Sequence, residues 1–161
     1  MSDPFLEDLV ALLPRLRRFA ISLARSRDVA DELVQATCER ALMSRAQFQP
    51  GTRLDAWTMR ILRNLWIDRM RHPTARETFV DVEDAYYLVG EDGEARNEAR
   101  LKLAEAAKAI GELPDQQREV LLLVCVEEYS YREAADILSV PIGTVMSRLA
   151  RARAALDEML E

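Results

Sequence analysis

Apolar residues return every three or four positions through most of this chain, so the pattern predicts helices. Phe5, Leu9, Leu12, Leu13, Leu16, Phe19, Ala20 and Leu23 form one such stripe. Within it Pro14, which lacks an amide proton, predicts that a helix breaks or starts there. Asp28 is placed to cap a second helix with an inward stripe of Val29, Leu33, Val34, Thr37, Cys38, Ala41 and Leu42. After a turn at Pro50-Gly51, a third helix is expected from about Leu54 to Arg71. It would turn Leu54, Trp57, Ile61, Leu62 and Leu65 inward and Arg60, Arg63, Asn64, Asp68 and Arg71 outward, and Pro73 ends it.

Residues 74–93 lose the periodicity, which predicts an interdomain linker. Helical spacing returns from near Glu94 to Gly111, and Pro114 opens a further segment from Asp115 to Glu127. Its run Val120 to Val126 could equally be a buried strand, but the flanking patterns favour helix and make it the centre of a second small core. Only five glycines and six prolines among 161 residues leave too few turns for a many-stranded sheet. The expected fold is all-α, with two small helical domains at 1–73 and 94–161 joined by a flexible acidic linker.

The net charge of −6 argues by itself against a nucleic-acid binder. Its distribution argues the other way. Glu77 to Glu105 carries nine acids and three bases, 3 − 9 = −6, so the rest of the chain is neutral. Within that remainder Arg53 to Arg76 and Thr144 to Ala155 are arginine-rich, and arginine suits phosphates and base edges. Cys38 and Cys125, without neighbouring Cys or His, read as buried hydrophobes. A single histidine, His72, argues against histidine triads and multi-histidine metal sites, so neither enzymatic chemistry nor a metal or cofactor is expected. The start, Met1-Ser2-Asp3-Pro4, lacks a signal peptide's basic and apolar regions, and no apolar stretch is long enough to span a bilayer, so the expected location is the cytoplasm.

Ser130 to Leu156 is the most informative stretch. Ser130 and Glu133 have capping-box spacing, Tyr131 to Leu138 reads as a short helix, and Ser139-Val140-Pro141 leads to a longer helix from near Ile142. Ala135 lies four before the turn and Val145 six after it, which is helix-turn-helix spacing. The second helix would bury Val145, Leu149 and Ala152 and expose Thr144, Ser147, Arg148 and Arg151, while its N-terminal amides favour a phosphate. Ser139 stands where such turns often need positive φ, at a cost of about 1 kcal/mol. An α-hairpin with a solvated arginine face is the plainer alternative.

Leu113 to Leu156, LPDQQREVLLLVCVEEYSYREAADILSVPIGTVMSRLARARAAL, resembles region 4 of extracytoplasmic-function (ECF) sigma factors, small subunits that give bacterial RNA polymerase its promoter specificity. DVADELVQATCERAL (Asp28 to Leu42) and LDAWTMRILRNLWIDRMRH (Leu54 to His72) are similar to the two halves of region 2. The N-terminal ALLPRLRRFAISLARSRDVADELVQ resembles the general-stress subgroup called EcfG-like.

The resemblance implies roles. Asp31, Glu32 and Gln35 would dock on the clamp helices of the polymerase largest subunit, with the flap as a further polymerase contact; alternatively the two acids only complement a helix N-terminus. Arg60, Arg63, Asn64, Asp68, Arg69 and Arg71 match the helix that melts and reads the minus-10 element, and Arg45 to Arg53 the segment that shapes its base pocket. Trp57 and Trp66 are each either core or wedge. Thr144, Ser147, Arg148, Arg151 and Arg153 would hold the minus-35 duplex, with Ile142, Gly143 and Met146 tuning promoter choice. The linker is a solvated tether or a nucleic-acid mimic in the RNA-exit path. The partners implied are core polymerase, promoter DNA and an anti-sigma factor, a small NepR-type helical protein. Competing readings are a stand-alone helix-turn-helix regulator and a sigma-like decoy for an anti-sigma factor.

Overall fold

The computed structural model describes residues 2–72 and 97–161, and every regular element among them is helical. Helices α1 (Pro4–Ala24), α2 (Arg27–Met43) and α3 (Leu54–Met70) pack on one another. A single 3-10 turn, Arg45–Gln47, lies between α2 and α3. Helices α4 (Asn97–Glu112), α5 (Asp115–Leu121), α6 (Tyr131–Leu138) and α7 (Ile142–Met159) form the second group. The linker expected at 74–93 and the proposed helix start at Glu94 lie outside the described residues.

One helix ends where the next must begin in a new direction, and local chemistry sets each corner. Asp3 caps α1 by accepting the Phe5 amide at 3.1 Å, and Arg25 closes it in the left-handed region. Pro14 does not break α1. It faces solvent, and Val10, whose carbonyl loses its helical partner, is 56% exposed, so water can take the orphaned oxygen. The cap of α2 is Ser26, whose Oγ accepts the Val29 amide at 3.4 Å, leaving Asp28 as a first-turn acid.

α1 buries Leu9, Leu16, Phe19, Ala20 and Leu23 as its stripe predicts, and its last turn is buried on all sides. α2 buries Val29, Leu33, Thr37 and Ala41, whereas Leu42 ends exposed. α3 is rotated from its expected stripe: Thr58, Met59 and Leu62 are the buried residues, and Leu54, Trp57, Ile61 and Leu65 flank them. Thr58 can go inside because its hydroxyl donates to the Leu54 and Asp55 carbonyls of its own helix, each at 2.9 Å. The Val120 to Val126 run is helical, but α5 gives way to a π-helical turn at Leu122–Val126, with Glu127 donating its amide to Leu122 at 2.9 Å. Cys125 on that turn is exposed and Cys38 half-buried, contrary to the expectation that both are buried.

The two groups share one apolar cluster. Leu16, Phe19, Leu23, Met59 and Leu62 of the first join Val120, Leu122, Leu123, Ile137 and Leu138 of the second, and α6 packs directly against α3. Such burial contributes about 1.5–3 kcal/mol per large side chain. Arg118, 3% exposed, fastens the α4–α5 corner by donating to the Leu113 carbonyl at 2.9 Å and to Asp115 at 2.7 Å.

Candidate nucleic-acid and polymerase interface

The second group contains the helix-turn-helix that the sequence predicts. Ser130 and Glu133 form a reciprocal capping box, Glu133 N–H to Ser130 Oγ at 3.1 Å and Ser130 N–H to Glu133 Oε1 at 2.9 Å. Ser139 ends α6 at φ 56°, ψ 45°, the left-handed conformation expected of the turn. Ala135 and Val145 are both buried at the crossing. α7 starts after Pro141 with no side-chain cap, so its first amides are open to an anion. Ser147, Arg151 and Arg153 face solvent, as do Ile142, Gly143 and Met146; Thr144 and Arg148 are half-buried.

On α3, Arg60, Asn64, Asp68 and Arg71 are exposed. Arg63 is not. Its side chain is 14% exposed, and it donates to Glu119 Oε2 at 3.2 Å and to the Leu138 carbonyl at 3.1 Å, both in the second group. Burial raises the Glu119 carboxyl above its usual pKa, and the positive charges of Arg63 and Arg148 only partly counter it. Arg69, matched to the minus-10 helix by the resemblance, turns to α2, where it meets Glu32 at 2.7 Å. Asp31 accepts from Arg17 at 3.0 Å, and Gln35 donates to Glu39 at 3.5 Å. Asp31, Glu32 and Gln35 are therefore all exposed on one helix, two of them with arginine partners.

A second inter-group contact escaped the sequence reading. The Glu127 carboxylate, 2% exposed, accepts from Arg18 through Nε and Nη2, both at 2.9 Å, and from Arg15 Nε at 3.1 Å. Arg15 also reaches Asp55 and the Tyr129 hydroxyl at 3.1 Å each, and Tyr129 donates to Asp55 at 3.2 Å. Arg53 contacts Asp55 at 2.7 Å, lies 4.9 Å from the Tyr129 ring centre and pairs with the Glu133 carboxylate. Burial pushes the Tyr129 phenol well above its usual pKa. For Asp55 burial works in the same direction, but hydrogen bonds from Arg53, the Ala56 amide and Arg15 outweigh it and hold the carboxyl below its usual value. The one sequence hint was an acid, Glu127, directly after a seven-residue apolar run.

The chain has relatives among known proteins. Residues 9–76 match the family described as Sigma-70 region 2, and residues 103–156 match Sigma-70, region 4. Over 160 residues, 99% of this chain and 87% of the relative, the sequence is 40% identical to the ECF RNA polymerase sigma factor EcfG of Rhodopseudomonas palustris. The chain belongs to the ECF RNA polymerase sigma factors. It is also 31% identical to SigW of Bacillus subtilis over 141 residues, 81% of this chain and 75% of the relative. Among solved structures, the sigma factor RpoE of Bartonella quintana, in complex with the anti-sigma factor NepR, matches with TM-score 0.78 and 37% identity. That match covers 99% of this chain and 98% of the other. CnrH, in complex with the cytosolic domain of CnrY, matches with TM-score 0.68 and 28% identity over 97% and 86% of the two chains.

As an ECF sigma factor, the chain is a transcription initiation factor that gives RNA polymerase its choice of promoter. The region 2 match covers α2, α3 and all but the first turn of α1, and the region 4 match covers α5, α6 and all but the last turn of α7, so the Arg63 and Glu127 contacts join region 2 to region 4. No helix among the described residues is long and apolar enough to cross a membrane.

Proposed function

We propose that this sigma factor reads two promoter elements with two separate surfaces. The exposed residues of α3, Arg60, Asn64, Asp68 and Arg71, engage the minus-10 element as it melts, with the segment 45–53 shaping a pocket for the extruded base. The open face of α7, Ser147, Arg151 and Arg153 with Thr144 and Arg148 beside them, holds the minus-35 duplex. Asp31, Glu32 and Gln35 of α2 dock on the polymerase clamp helices, and region 4 reaches the flap. The protein performs no covalent step, since nucleotide addition belongs to the polymerase. It acts in the cytoplasm as a stress-responsive factor, and a small NepR-type helical protein restrains it; the NepR-bound Bartonella relative supports that partner.

The observation that carries this reading is the engagement of Arg63. A side chain on the minus-10 helix is held by Glu119 and the Leu138 carbonyl of region 4, while Asn64 beside it stays open. The closed arrangement is thus a resting state: region 4 must leave region 2 before Arg63 can meet DNA and Arg53 can be freed from Glu133. Asn64→Ala and the charge reversals Arg148→Glu and Arg151→Glu test the assignment in transcription reconstituted with core polymerase on a cognate promoter. Loss of start-site selection is expected. Unchanged start sites refute it, and tight dimeric binding to duplex DNA without polymerase favours a stand-alone regulator instead.

A further inference from the structure

The segment between α2 and α3 has little structure of its own. The bonds that shape its backbone are local: Gln47 N–H to the Ser44 carbonyl at 2.8 Å, Phe48 N–H to the Arg45 carbonyl at 3.1 Å, and the Thr52 amide and hydroxyl to the Gln49 carbonyl at 3.2 and 2.6 Å. Gly51 turns it at φ 88°, with nothing within 4 Å of where a Cβ would stand. Two short turns of this kind hold their own shape but not their position on the protein.

Position comes from the first turn of α1. Both terminal guanidinium nitrogens of Arg45 donate to the Asp3 carboxylate, Nη2 to Oδ1 at 2.6 Å. The same carboxylate caps α1 by accepting the Phe5 amide. The Arg45 guanidinium also lies 4.7 Å from the Phe5 ring centre. Phe48, half-buried, packs its ring at a tilt against Phe5 and Trp57, with ring centres 5.9 and 5.2 Å away, and Phe5 and Trp57 meet edge-on at 6.3 Å. At the other end, Arg53 is held in part by Glu133 and Tyr129 of region 4. When region 4 departs, that part of the anchorage goes and the α1 clasp remains.

We infer that Asp3 and Phe5 are positioning residues for minus-10 recognition, clasping Arg45 and Phe48 so that the segment keeps its pocket in the open, DNA-bound protein. This rests on the proposed role of segment 45–53 and names what supports it. Trp57 then acts as one wall of the clasp, not as a wedge between bases.

The test uses the full chain assembled with core polymerase, and a promoter carrying 2-aminopurine at each minus-10 position in turn. Asp3→Ser keeps a good helix cap but cannot reach Arg45, and Phe5→Leu keeps apolar bulk but no ring. Each is expected to lower the fluorescence-detected capture of the extruded base about tenfold. Phe5→Tyr should retain it, with core affinity and heat stability unchanged. Wild-type capture in Asp3→Ser and Phe5→Leu, alongside lost capture in Asn64→Ala and in a variant with 45–53 replaced by glycine and serine, overturns the clasp alone. If the glycine-serine variant itself captures the base normally, the role of the segment fails and the clasp with it. Equal losses in core affinity would mark Asp3 and Phe5 as fold residues only and overturn the inference.

Discussion

Replacing Glu127 by glutamine should open the protein. The side chain keeps its size and one acceptor, but Arg15 and Arg18 lose the carboxylate on which their three hydrogen bonds converge. Breaking a fully buried ion pair costs about 3–5 kcal/mol, because a charge is left without a partner. Here the carboxylate is 2% exposed but the two arginines are 31% and 32% exposed, so water rehydrates them in part. About 2 kcal/mol is the reasoned loss, which at about 1.4 kcal/mol per decade is close to a thirtyfold shift towards the open form.

Energy transfer between labels on the exposed Glu39 and Ala154 positions, with Cys38 and Cys125 replaced, reports the separation of regions 2 and 4. In increasing urea the labels in Glu127→Gln should separate well before those in the wild type, while helix content is lost at a similar concentration. Asp31→Asn serves as the control. Its pair with Arg17 is exposed on both sides, 55% and 43%, and should be worth under about 1 kcal/mol. Equal effects of the two substitutions, or a Glu127→Gln shift below about 0.5 kcal/mol, would refute the claim that Glu127 fastens the regions together.

Three further outcomes follow from the same contacts. Ser139→Gly should stabilise region 4 by about 1 kcal/mol, seen as a higher melting temperature, because serine is held at φ 56° where glycine meets no Cβ penalty. The closed form should loosen as pH rises through about 10: the Tyr129 phenol, facing Arg15, Arg53 and Asp55, has its pKa raised by burial, so the open form loses the proton first. Tyr129→Phe should remove that dependence from the label-separation profile. Thr37→Val should cost about 1 kcal/mol or less in urea unfolding, because the buried hydroxyl is satisfied by the Leu33 carbonyl at 2.7 Å and leaves no donor stranded when it goes.

What was legible in the sequence was local. The capping box at Ser130 and Glu133, the strained turn at Ser139 and the buried Val145, Leu149 and Ala152 all depend on residues within one or two helical turns, so spacing alone exposes them. What the spacing did not reveal was of two kinds. Pro14 and Thr58 break the rules of periodicity without harm, one because its orphaned carbonyl faces water and the other because its hydroxyl is satisfied within the helix. Arg63, Arg69 and Glu127 are set by partners 56, 37 and more than 100 residues away, and no periodic pattern reports on such pairs. Arg63 belongs to the outer side of α3, where Arg60, Asn64, Asp68 and Arg71 meet solvent, but its own side chain meets Glu119 and the Leu138 carbonyl of region 4.

This arrangement also answers how a chain of net charge −6 can present basic surfaces to DNA. Glu119, Glu127 and Glu133 of region 4 occupy arginines of region 2 in the closed form, so much of the cationic surface is neutralised by the protein itself. Phosphates offer those arginines the same bidentate acceptors as carboxylates. Opening is therefore an exchange of partners, with part of the lost Coulomb attraction restored by DNA. Added salt weakens both sides of that exchange, the exposed DNA contacts more than the buried Glu127 cluster. Promoter binding by the assembled polymerase should consequently fall with salt less steeply in wild type than in Glu127→Gln, whose region 2 arginines no longer have an internal carboxylate whose own weakening by salt offsets part of the loss.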